Sequence, residues 1–155
     1  MGLAKQLILV VNGGSSSIKF AVFESGNYLR KILTGKLDAI GSAEGQFSIK
    51  AEDSEASTKT VVTKNYADAS NIVIEWLKQF SKDHKITAIG HRIVHGGNNY
   101  FDPQFIDKDV LKDLRRLSSL DPDHLPEEIL LAETTGRLFP NTPQVACFDT
   151  VFHRD

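Results

Sequence analysis

An α/β fold is what this sequence predicts, a mixed sheet with helices on its faces, and two features carry the prediction. The chain opens with an apolar run, Leu7 to Val11, closed by a glycine–serine turn and followed by an alternating strand. That pair reads as an antiparallel hairpin. From Asp68 onward the hydrophobic period changes, and helical stripes alternate with short apolar runs. A sheet that begins antiparallel and continues as strand–helix–strand is mixed, with its helices as covering layers.

Leu7-Ile8-Leu9-Val10-Val11 is apolar at every position, as expected of a strand in the middle of a sheet. Asn12-Gly13-Gly14-Ser15-Ser16 supplies the small and polar residues of a turn. Ser17 to Phe23 then alternates, with Ile18, Phe20 and Val22 on one face and Lys19 and Ala21 on the other. Tyr28 to Leu37, Gly45 to Lys50 and Thr58 to Lys64 carry weaker strand patterns, and the polar stretch from Ala51 to Ser57 reads as an exposed turn. Ile72, Trp76 and Phe80, with Val73 and Leu77 beside them, mark an amphipathic helix over Asp68 to Lys82. Ile86 to Val94 returns to strand character. Asp107 is placed to cap a helix striped by Val110, Leu111, Leu114 and Leu117. Pro126 with Glu127 and Glu128 opens a further helix, and Gln144 to Phe148 is a last short strand.

Composition narrows the class. The 155 residues amount to about one domain. Eighteen basic and twenty acidic residues leave a net charge of −2, which argues against nucleic-acid and membrane partners. A single cysteine, Cys147, excludes an internal disulfide framework and reads as a small buried hydrophobe. The five-residue apolar run is too short for a secretory or membrane-spanning segment. A soluble, intracellular globular domain is the expectation.

Four stretches could carry chemistry. The turn Gly13-Gly14-Ser15-Ser16-Ser17, followed by Lys19, offers backbone amides, hydroxyls and a cation to an anion, or is an ordinary polar hairpin turn. It is no P-loop, because the Gly-Lys-Ser/Thr element is missing and a strand follows instead of a helix. Asn12 stands where the first strand ends, a place where open sheets present ligand groups. In His91-Arg92-Ile93-Val94-His95-Gly96-Gly97, strand geometry puts Arg92 and Val94 on one face. A guanidinium beside a small apolar side chain suits a short carboxylic acid, and a structural ion pair is the alternative for Arg92. His91 and His95 lie roughly 13 Å apart on a strand, too far to chelate one ion.

Asp121-Pro122-Asp123-His124-Leu125-Pro126 presents His124 stiffly before a helix, where it could donate to a developing anion. Otherwise Asp121 or Asp123 simply caps. Asp149 follows an apolar strand, flanked by aromatics, and could approach magnesium or orient a reacting group. Capping is again the alternative.

In order along the chain, Asn12-Gly-Gly-Ser-Ser-Ser-Ile-Lys19, Gly90-His-Arg-Ile-Val-His-Gly-Gly97, Asp123-His124 and Phe148-Asp-Thr-Val-Phe-His153 closely resemble the acetate kinase (acetokinase) family. The resemblance runs over nearly the whole chain. It implies a ribonuclease-H-like sheet of the acetate and sugar kinase, Hsp70 and actin superfamily. It further implies a cytoplasmic, Mg²⁺-dependent phosphotransferase moving a phosphoryl group reversibly between ATP and acetate. By position, Arg92 would bind the substrate carboxylate and Val94 its methyl group. His124 would stabilise the transferring phosphoryl group, and Asp149 would be the essential carboxylate near the metal. Asn12, Ser17 and Lys19 would form the phosphate- and metal-proximal hairpin, with Asn12 on the metal side.

Gly13 departs from the family, where cysteine is common. Asp123 stands where many members have a leucine lining the methyl pocket, which leaves acetate and propionate as alternative substrates. A non-catalytic anion-binding regulatory module is the rival from another class. Family members are much longer and carry a second, nucleotide-binding domain and a homodimer contact. Residues 1–155 therefore read as an N-terminal domain, inactive as a kinase on its own.

Overall fold

The computed structural model describes residues 5–149. Five strands, β1 (Gln6–Gly13), β2 (Ile18–Ser25), β3 (Arg30–Asp38), β4 (Gly45–Ala51) and β5 (Ser57–Val61), form an antiparallel meander. Helix α1 (Tyr66–Phe80) then carries the chain to β6 (Ile86–Ile93), which lies parallel to β1 on its other side. A two-residue strand β7 (Gln104–Phe105) and helices α2 (Lys108–Leu117) and α3 (Leu125–Leu138) lead to β8 (Gln144–Phe148), parallel to β6. The sheet order is β5-β4-β3-β2-β1-β6-β8-β7.

Local chemistry explains the boundaries. Asn65 caps α1 by accepting from the Asp68 amide at 2.9 Å, and Asp107 caps α2 by accepting from the Val110 amide at 2.8 Å. Pro126 sits in the first turn of α3, where its missing N–H leaves no helical bond unmade. The stretch between β4 and β5 is an exposed turn in which Asp53 takes the left-handed conformation, φ 58°. β7 carries no readable pattern, being only two residues long and held by its pairing with Val145 and Ala146.

All three helices among the described residues cover one face of the sheet, where the sequence had suggested both. Ala69, Val73 and Leu77 of α1 pack on Leu9, Val11, Phe20, Val22 and Leu37. Val110 and Leu114 of α2 and Leu125 and Ile129 of α3 pack on Ile93, Ala146 and Phe148. Topology supplies the reason. The crossovers β5–α1–β6 and β6–α2–α3–β8 both join parallel strands and both step in the same direction across the sheet. Right-handed crossovers running the same way lay their helices on the same side. The opposite face carries Val10, Asn12, Lys19, Ala21, Thr34 and Lys36, and there a hollow of about 480 Å³ opens.

Candidate active site

Three parallel strands, β1, β6 and β8, finish at one edge of the sheet. Asn12 pairs in register with Arg92, and Ile93 with Phe148, so Asp149 follows directly at the same edge. On the other side of β1, Asn12 is opposite Lys19. Lys19, Asn12 and Arg92 thus form one row across three strands, pointing away from the helices. Period-2 alternation does the sorting: His91 and Ile93 are buried beneath the helices while Arg92 is exposed.

Arg92 joins its neighbours. Its Nε donates to both Asp149 carboxylate oxygens, at 2.9 and 3.0 Å, and Nη2 lies 2.6 Å from Oδ2. Nη1 donates to Asn12 Oδ1 at 3.4 Å. Donating to the Asp149 carboxylate holds the guanidinium pKa above its ordinary value. A guanidinium has five N–H groups in a planar fork. Asp149 takes Nε and Nη2, Asn12 accepts from Nη1, and the Arg92 side chain remains 56% exposed. The ion-pair and carboxylate-clamp readings of Arg92 are therefore compatible. Asp149 orients the fork.

The hairpin loop of residues 14–17 closes on a bond from the Gly14 amide to the Ser17 carbonyl, 2.8 Å. Residues 13–17 include no left-handed residue, so the loop is a plain turn without αR–αL alternation. Beneath it, Tyr66 Oη of α1 donates to the Ser17 carbonyl at 3.4 Å. The missing side chain of Gly13 matters here. A Cβ on Gly13 would stand 2.5 Å from Tyr66 Oη and 2.7 Å from Leu131 Cδ1. Space that a cysteine side chain would need is thus filled from α1 and α3.

His124 occupies the N-cap position of α3 without making a side-chain cap. Its Nδ1 lies 3.0 Å from Asp121 Oδ1, and that hydrogen bond raises the imidazole pKa. Asp121 therefore serves the histidine ring and does not cap through its carboxylate; its backbone carbonyl accepts from the Leu125 amide at 3.2 Å. Asp123 is exposed. His91 is buried, its Nε2 2.5 Å from Gln144 Oε1, and burial lowers its pKa to about 4. It is a core histidine, and no group of three or more metal-ligating side chains occurs among the described residues. Cys147 is half-buried within β8. Thr150 to His153, the rest of the last motif, lie outside the described residues.

One residue of this neighbourhood escapes the sequence reading. Glu128, in the first turn of α3, is buried, and its carboxylate accepts from the Val94 amide at 3.1 Å. Burial raises its pKa to about 7. In the sequence it served only as an acidic residue at a helix start. The available signal was its spacing, four residues beyond His124 and so on the same helical face.

Known proteins share this sequence pattern and fold. The model of the acetokinase family matches residues 7–155. The chain belongs to the acetokinase family. An acetate kinase from Chromobacterium violaceum is 37% identical over 147 residues, covering 95% of this chain and 36% of that relative. Among solved structures, a propionate kinase from Francisella tularensis superposes with a TM-score of 0.82 at 34% identity, covering 96% of this chain and 38% of its own. An acetate kinase from Porphyromonas gingivalis gives 0.80 at 26% identity, covering 95% of this chain and 38% of its own. These acetokinase neighbours share the mixed sheet with flanking helices that is described above. The chain spans little more than a third of the length of these relatives. No helix among the described residues is long and apolar enough to cross a membrane.

Proposed function

We propose that this chain is the carboxylate-binding N-terminal domain, residues 1–155, of a cytoplasmic acetate kinase that transfers a phosphoryl group between ATP and acetate. The observation that carries the reading is the exposed guanidinium of Arg92, oriented by Asp149 and Asn12, in a chain of the acetokinase family. Acetate is ionised at neutral pH, so the nucleophile needs no base. The exposed guanidinium of Arg92 takes its carboxylate, and Val94, two residues on and half-buried, receives the methyl group. An acetate oxygen attacks the γ-phosphorus as the bond to the β–γ bridging oxygen breaks, leaving acetyl phosphate and ADP. His124, its imidazole pKa raised by the hydrogen bond to Asp121, donates to the transferring phosphoryl oxygens. Ser17 and Lys19 face the ATP phosphates from the hairpin.

Asp149 and Asn12 supply a carboxylate and an amide oxygen, both accepting from Arg92, of the donor type Mg²⁺ takes when substrate phosphates and waters complete its shell. They are the residues that would hold the ion, which when bound neutralises phosphate charge. The adenosine end, the remaining substrate contacts and the homodimer contact belong to the sequence that the longer relatives carry beyond this region.

The decisive experiment is a hydroxamate assay for acetyl phosphate, run on the protein extended to the length of its relatives. Arg92→Ala should lower kcat/KM for acetate by about 10²-fold or more, the scale of losing a charged transition-state contact. Unchanged acetate kinetics would sink the assignment. A propionate preference is the second reading, favoured by the propionate kinase of Francisella tularensis among the structural neighbours and by the exposed Asp123. Comparing kcat/KM for acetate, propionate and butyrate separates the two.

A further inference from the structure

We infer that Glu128 is a positioning residue that fixes the wall of the carboxylate pocket and so sets its preference for chain length. The inference rests on reading Arg92 and Val94 as that pocket. Val94 is the first residue past the end of β6, whose ladder with β8 finishes at Ile93 and Phe148. Its amide is beyond the reach of the sheet, and the carboxylate of Glu128 reaches across from α3 to accept it at 3.1 Å. The same residue ties the pocket to the histidine, for the Glu128 amide donates to the His124 carbonyl at 3.1 Å. Glu128 thus holds Val94 on one element and His124 on another in a single rigid relation. It is itself immobilised, being 3% exposed within the first turn of a helix whose Leu125 and Ile129 are core residues.

A buried carboxylate is an expensive group to place in a core, and an apolar residue there would pack without that desolvation cost. Its one direct hydrogen bond to another element goes to the residue that would touch the substrate's alkyl end. Withdrawing the acceptor would leave the Val94 amide unpaired and allow the chain to move towards solvent to be hydrated. The pocket would lengthen, and propionate would gain on acetate.

NMR titration of the protein extended to the length of its relatives with sodium acetate and sodium propionate, followed at the Arg92 Nε–H and the Val94 amide, reads the two dissociation constants. The Glu128→Ala variant should change their ratio towards propionate by at least about threefold, within the range one methylene is worth in an apolar pocket. Amide exchange at Val94 should quicken by about tenfold, the loss of one hydrogen bond to a charged group. Glu128→Asp withdraws the carboxylate by one methylene and takes the place of the alanine variant if that one does not fold. Glu128→Gln keeps an oxygen acceptor and should restore the ratio to within about twofold of the unsubstituted chain. A merely structural loss would weaken both ligands together and leave their ratio alone. A ratio that moves less than this in the alanine or aspartate variant, or that glutamine fails to restore, overturns the role of Glu128. Absence of any carboxylate-dependent shift in the unsubstituted extended protein overturns the proposed function, and this inference with it.

Discussion

Two buried titratable groups with opposite shifts should make the acid stability of this domain flat for a reason that mutation can expose. Burial raises the Glu128 carboxyl from an ordinary 4.5 to about 7, with Asp121 and Asp149 adding to the rise and the Val94 amide and His124 opposing it. Burial lowers the His91 imidazole from 6.5 to about 4, opposed only by its bond to Gln144. Between pH 6.5 and 4.5 the native state already holds the Glu128 proton, whereas the unfolded chain gains it only as pH falls. Acidification therefore stabilises through Glu128, and the benefit is lost again as pH rises towards 7. His91 works the other way: the unfolded imidazole takes its proton near 6.5, the buried one resists until about 4, and stability drains as pH falls. At roughly 1.4 kcal/mol per unit, each contribution amounts to about 2 kcal/mol across that window, and the two nearly cancel.

Urea denaturation followed by the fluorescence of the single tryptophan, Trp76, which stacks on Phe80 within α1, measures the effect. Glu128→Gln leaves His91 unopposed, so its stability should fall by about 2 kcal/mol relative to the unsubstituted protein between pH 6.5 and 4.5. His91→Gln should show the mirror image, gaining a similar amount relative to the unsubstituted protein. The double variant should parallel the starting protein. Any pH-independent cost of a substitution cancels in these differences. A stability difference between Glu128→Gln and the parent that stays constant over the window would refute the assignment of a raised carboxyl at this position.

Other substitutions test the frame around the site. Gly13→Ala should lose about 1–3 kcal/mol in denaturation, because its Cβ would lie 2.5 Å from Tyr66 Oη and 2.7 Å from Leu131. Tyr66→Phe should recover part of that loss when combined with it, a coupling readable in a double-mutant cycle. Asp107→Ala removes the acceptor of the Val110 amide at the start of α2 and should lower stability by about 1 kcal/mol by the same measurement. Leu9→Ala, at a fully buried position on the central strand, should cost about 2–5 kcal/mol and lower the thermal midpoint accordingly.

Much of this was legible in the sequence, where local pattern and local physics agree. The Leu7–Val11 run is central because β1 is paired on both sides, and Asp107 caps because nothing nearby competes for the Val110 amide. The facing of Arg92 against His91 and Ile93 followed from period-2 alternation alone. What the sequence withheld depends on distant pairings. Its alternation could not say which side of the sheet a helix takes, since the direction of each crossover is set by which strand β6 and β8 join. Nor could it show Tyr66 filling the void at Gly13, a contact between residues 53 positions apart in sequence. Glu128 carried one local role, helix-start acid, and only the placement of α3 against the end of β6 gives it a second.

The site follows from the topology more than from any one motif. β1 is the strand at which the sheet changes from antiparallel to parallel, with β2 on one side and β6 on the other. Here the hairpin loop leaves β1 towards β2, while β6 and β8 end beside it, so Lys19, Asn12, Arg92 and Asp149 come together from four strand ends or their immediate continuations. Two of these four are cations, one an anion and one a neutral amide, and the anion is already engaged by Arg92. The row therefore keeps a surplus of positive charge facing outward. That surplus, on the side of the sheet its helices leave open, is what a carboxylate and a polyphosphate would both require of this surface.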